Sequence, residues 1–95
     1  MKIARTNTGL IELRISDDPT QFKRLAEIVK KKLGGKWLGK LDGLDQSYWD
    51  LEVQNETITI HREHFIGVSV FSEDIPAKRS ILERLQSLWE PATEK

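Results

Sequence analysis

The chain has 95 residues, 38% hydrophobic and 32% charged, with a mean hydropathy of −0.48, the balance of one soluble globular domain rather than of a disordered or membrane-spanning chain. Fifteen Lys and Arg cancel fifteen Asp and Glu, so net charge points to no polyanionic partner. The absence of cysteine excludes a disulfide framework, a thiolate metal site and a cysteine nucleophile.

No apolar segment follows Met1–Arg5, so the sequence predicts a cytoplasmic protein without membrane association. Residues 1–9 are polar and aperiodic and read as a lead-in. Leu10–Ser16 alternates, with Ile11, Leu13 and Ile15 on one face and Leu10, Glu12 and Arg14 on the other, the period of a half-buried strand. A helix follows. Asp17 or Asp18 caps it, Pro19 suits its first position, and Phe22, Leu25, Ala26, Ile28, Val29 and Leu33 recur at helical spacing. Lys30, Lys31 and Lys32 lie at its carbonyl end, and Gly34-Gly35 stops it.

Lys36–Gln46 matches neither period and carries Gly39 and Gly43. It reads as a connecting loop from which Trp37, Leu38 and Leu41 tuck against the core. Ser47–Gln54 and Thr57–Arg62 predict an antiparallel hairpin around Asn55-Glu56. That turn sets Val53 opposite Ile58 and Leu51 opposite Ile60 on the apolar face, with Glu52 beside Thr59 and Asp50 beside His61 on the other. Phe65–Phe71 is apolar on both faces and predicts a strand that is central or has something packed on each face, in which Gly67 marks a bulge or a close approach. Asp74, or alternatively Ser72, caps a second helix with Pro76 in its first turn and Ile81, Leu82, Leu85, Leu88 and Trp89 as its apolar stripe. Pro91 ends it, and 92–95 form a frayed tail.

The expected architecture is α+β: one domain over 1–95, a two-layer sandwich in the order β-α-β-β-β-α, with two helices on one face of a mostly antiparallel four-stranded sheet.

Few residues offer chemistry. His61 and His64, with Glu63 between them, are the candidates for a metal site, with Asp50 as a further oxygen ligand. Residues three apart on a strand point to opposite faces, however, so the two imidazoles converge only if the turn separates them. Asp50, Glu52 and Glu63 join the histidines as acid–base candidates, on a face that a two-layer fold leaves open to water. No glycine-rich phosphate loop is present, and no cofactor is implied.

Charge is divided along the chain. Residues 1–40 hold ten basic against four acidic residues, net +6, and residues 41–95 hold five against eleven, net −6. The simpler reading is a solvated basic helix end beside a more acidic sheet; the functional reading is two faces of opposite potential. Trp49 and Trp89 fit apolar stripes, whereas Trp37, among lysines, has the character of an interface hot spot.

Without its first strand, the α-β-β-β-α order resembles a double-stranded RNA-binding domain, in which a lysine-rich start of the last helix contacts phosphates. Lys78 and Arg79 stand at that place, following the acidic Glu73 and Asp74. The resemblance implies an accessory RNA-binding module, to which Lys30, Lys31 and Lys32 would add contacts.

Tyr48-Trp49-Asp50-Leu51-Glu52-Val53, then Thr57-Ile58-Thr59-Ile60-His61, then Glu63 to Val70, resembles small uncharacterised bacterial α+β proteins in the style of toxin-system immunity proteins. That resemblance implies stoichiometric binding that occludes a protein partner, a basic nuclease being the natural one for an acidic strand face. Trp37, Asp50, Glu52, Glu56 and Glu63 are the candidate contacts.

The expectation is therefore a non-catalytic protein-binding domain of inhibitor or immunity type. The alternatives are an RNA-binding module, and a small enzyme or metal binder centred on His61 and His64. An outward Phe65 and Phe71 would also offer a patch to a second copy of the chain.

Overall fold

The computed structural model describes residues 2–89. The strands are β1 (Ile3–Arg5), β2 (Leu10–Ser16), β3 (Lys36–Asp42), β4 (Gln46–Val53), β5 (Glu56–Glu63) and β6 (Gly67–Glu73). The helices are α1 (Phe22–Leu33), preceded by a 3-10 turn at Pro19–Gln21, and α2 (Pro76–Leu88). All strand pairs are antiparallel, in the order β1-β2-β6-β5-β4-β3. The chain is α+β as expected, but its sheet has six strands rather than four. Pro91 and the tail 92–95 lie outside the described residues. Among those described, no helix is long and apolar enough to cross a membrane.

The two added strands come from segments with weak side-chain signals. Residues 3–5 pair with β2 across a turn in which Gly9 takes φ +81°. Lys36–Asp42, expected as a loop, pairs with β4 through its backbone. Its register slips between Trp37 and Gly39, making Leu38 the extra residue of a β-bulge, and that slip destroys period two in the sequence. Four strands consequently lie between the helices, which breaks the α-β-β-β-α order shared with double-stranded RNA-binding domains.

The hairpin of β4 and β5 turns at Gln54-Asn55, one residue before the expected pair, with φ of 52° and 66° as a type I′ turn requires. Every pairing shifts by two residues while parity is kept. Leu51 faces Ile58, Trp49 faces Ile60, Asp50 faces Thr59, Glu52 faces Thr57 and Tyr48 faces His61. This register sets the bulkiest β4 side chain against Ile60 and brings Arg62 beside Ser47, whose hydroxyl accepts from Arg62 Nε at 3.2 Å.

Both helices pack on one side of the sheet. Ile11, Leu13, Leu51, Ile58, Val68 and Val70 of the strands meet Leu25, Val29, Leu82 and Leu85 of the helices in a single core. Asp18 accepts from Thr20 N at the start of the first helical segment, and Gly34 ends α1 at φ +69°. At α2 the expected cap is not made. Ile75 holds the cap position, while the Asp74 carboxylate pairs with Arg79 and Arg5, each at 3.0 Å. The last of the inner strands starts at Gly67 rather than Phe65. Ile66 thus leaves the apolar set for a turn, while Val68 and Val70 stay in the core. β6 is central, between β2 and β5.

Candidate functional site

Strand parity divides the charged residues between two surfaces. On the face away from the helices, one cross-strand row runs Ala4, Glu12, Phe71, Thr59, Asp50 and Gly39. The next row runs Arg14, Ser69, His61, Tyr48 and Leu41. Glu63, Glu52 and Glu73 share this face by parity, so five acids stand against two bases, Arg14 and Lys36.

Its centre is aromatic. Tyr48 and His61 stack with ring centroids 4.6 Å apart and 14° from parallel. Phe71 meets both edge-on, at 6.4 Å from Tyr48 and 5.7 Å from His61. Tyr48 Oη donates to Gln46 Oε1. His61 Nε2 is buried with no hydrogen-bond partner, and burial pushes the imidazole pKa below its ordinary value, against the opposing pull of Glu63 and Glu12.

The carboxylates around this centre are held by neutral donors. Thr59 Oγ1 donates to Asp50 at 2.8 Å and Ser69 Oγ to Glu12 at 3.1 Å. Glu52 instead pairs with Lys36 at 3.7 Å. Glu56 faces Val53 and takes the parity of Ile58, so it lies with the helix side, apart from Asp50, Glu52 and Glu63.

At one end of the face two turns lie together, joined by His64 N donating to Asp45 O at 2.8 Å. They present Leu44, 94% exposed, and Phe65, 88% exposed. Leu38 and Leu41, expected in the core, are 51% and 68% exposed, because the bulge aims neither at the helices. Trp37 alone tucks in: it is half-buried, edge-on to Trp49 at 5.3 Å, and donates from Nε1 to Glu27 at 3.2 Å. These exposed leucines were the residues that sequence reasoning missed. Their signal was a spacing of three in Leu38, Leu41 and Leu44, which fits neither a buried strand nor a helix face in so short a segment.

The other candidate groups are dispersed. His61 lies on the open face, opposite Tyr48 rather than Asp50, while His64 sits in the turn with its ring 4.6 Å from Phe65. Among the described residues, no group of three or more His, Cys, Asp and Glu side chains is placed to hold a metal ion. Lys78 pairs with Glu73 at 2.8 Å and Arg79 with Asp74, so both charges expected to meet phosphate are already neutralised. Lys30, Lys31 and Lys32 close α1 beside Gly34.

A cleft of about 360 Å³ opens between the start of α1 and the strand ends, lined by Thr20, Phe22, Lys23, Asp42, Ser47 and Arg62. Hydrogen bonds from Trp49 and Ser47 hold the Asp42 carboxyl below its ordinary pKa, which makes it a weak base toward the Ser47 hydroxyl.

Fold and surface together define a two-layer α+β domain with one uncovered, acidic and aromatic sheet face. Comparison with protein-family models, with curated proteins and with solved structures gives no match in any of the three.

Proposed function

We propose that the chain is a non-catalytic protein-binding domain of the inhibitor or immunity type, and that its contact surface is the open face of the sheet. The observation that carries this reading is the juxtaposition of the Tyr48–His61–Phe71 cluster and the exposed Leu41, Leu44 and Phe65 with an excess of acids. An aromatic centre with an apolar margin and a polar rim is the composition of a protein interface. A nucleic-acid platform would need cations where this face carries Glu12, Asp50 and Glu63.

The test is affinity capture from lysate of the native cells, with nuclease treatment and without, run in parallel with the wild-type chain and with Tyr48→Ala, Asp50→Lys and Leu44→Ser variants. The reading requires a protein retained by the wild type in stoichiometric amount and lost from the face variants. Capture that disappears with nuclease, or that survives all three substitutions, overturns it.

A further inference from the structure

Aromatic rings are found on both sides of the sheet, but only one set has its own cation. On the helix side, Lys40 Nζ lies 4.2 Å from the Trp49 ring centroid and 5.2 Å from that of Trp37. On the open side, no side-chain cation of the described residues lies over Tyr48, His61 or Phe71. The nearest candidate by register is Arg14, in the same cross-strand row, and its guanidinium is drawn away to Asp17 Oδ1 at 3.2 Å and Ile66 O at 3.1 Å.

Three carboxylates surround that vacant cluster without a counter-ion. Glu12 and Asp50 stand at opposite ends of the row through Phe71 and Thr59, about 14 Å apart at three strand spacings. Glu63 stands two residues beyond His61 on the same face. None of the three is in an ion pair among the described residues. Beside Asp50 the surface is open: its partner is Gly39, which carries no side chain, and a Cβ built there would meet nothing within 4 Å.

We infer that this uncovered position and the adjoining ring cluster seat an arginine side chain of the protein partner. The guanidinium would lie against the Tyr48 ring, with its donors turned to Asp50. A planar guanidinium meets both needs, since it stacks on aromatic faces and forms paired hydrogen bonds to carboxylate, whereas an ammonium is more strongly hydrated and pairs as a point charge. The inference rests on the open-face reading above and names the chemistry that the face selects.

The probe is a nine-residue arginine homopeptide, titrated into the isotope-labelled protein and followed by backbone amide shifts, with lysine and glutamate homopeptides of equal length in parallel. Expected are shifts centred on Gly39, Tyr48, Asp50, His61 and Phe71, with arginine bound about two- to fivefold more tightly than lysine. Gly39→Lys places a cation beside Asp50 without a Cβ clash and should weaken the arginine peptide at least about tenfold. Tyr48→Phe keeps the ring and should keep binding, whereas Tyr48→Ala should not.

Equal affinity for lysine, shifts centred on the helices, insensitivity to Gly39→Lys, or no binding of the arginine peptide overturns the inference. Titration of the same face by a single-stranded oligonucleotide also overturns it. If the peptide fails while lysate capture still depends on Tyr48 and Asp50, the cation seat falls and the protein-binding reading stands.

Discussion

Gly67 lies so close to Ser16 that a Cβ on the glycine would be 2.1 Å from the serine carbonyl oxygen, and its φ is +130°. The contact joins the start of β6 to the end of β2, where the pairing slips between Arg14 and Ser16. Backbone meets backbone there, so neither side can give way by a rotamer change. Gly67→Ala should therefore destabilise the fold by about 3 kcal/mol or more, in the range of the most damaging single substitutions. Urea unfolding would show this as a large fall in midpoint; a loss below about 1 kcal/mol would contradict the close approach.

The turn at Gln54-Asn55 offers the opposite case. Both residues take left-handed backbone, and neither is glycine. Replacing the pair with Asn-Gly should raise stability by about 1 kcal/mol, because the type I′ geometry then carries less steric cost. An unchanged or lowered midpoint would indicate a different turn and a different β4–β5 register.

Sequence reading and structure part company at the points where backbone rather than side chain makes the contact. The strand at 10–16, the Pro19–Gly34 helical segment and the parity of β4 and β5 were legible, because each buries a periodic apolar set. β3 was not, since it sends Trp37 inward and little else, and the bulge at Leu38 removes the alternation. The hairpin register was legible only to its parity, because Asn55 can serve either of two adjacent turns. Of the candidate site, the acids at 50, 52 and 63 do share one face, but its aromatic centre depends on Tyr48 meeting His61. That is a consequence of the turn position.

His61 gives the fold a pH dependence of defined sign. Burial lowers its folded pKa below the ordinary value of 6.5, so in mildly acidic solution the unfolded chain binds the proton that the folded chain refuses. Its stabilising contribution is complete above that ordinary value and is lost as pH falls from there toward the folded pKa. The wild type should lose more stability between pH 7.5 and pH 5.5 than His61→Phe does, by urea unfolding. Equal losses would remove His61 as the cause.

Trp49 is held from several sides. Phe22 lies edge-on at 4.8 Å, Trp37 at 5.3 Å, and its Nε1 donates to Asp42 at 2.9 Å. Trp49→Ala should cost about 3–5 kcal/mol, whereas Trp49→Phe should cost clearly less by keeping ring packing and losing the Asp42 bond. Chemical unfolding of the two variants checks the order; a Phe variant as unstable as the Ala one would show that the hydrogen bond, not packing, dominates.

Leu44 and Phe65 should behave quite differently. Their near-complete exposure predicts that Leu44→Ser and Phe65→Ser each change stability by no more than about 0.5 kcal/mol. A larger loss in either variant would mean that these side chains support the adjoining turns.

The margins of the sheet also bear on how the protein behaves in concentrated solution. At one margin β1 is only three residues long. At the other, β3 is bulged at Leu38 and bears Lys36 and Lys40. A short outer strand, a kinked one and lysines along it are the devices by which sheets avoid templating further strands. Fibril growth from the native state is thereby disfavoured at both margins, even with leucines exposed close to one of them.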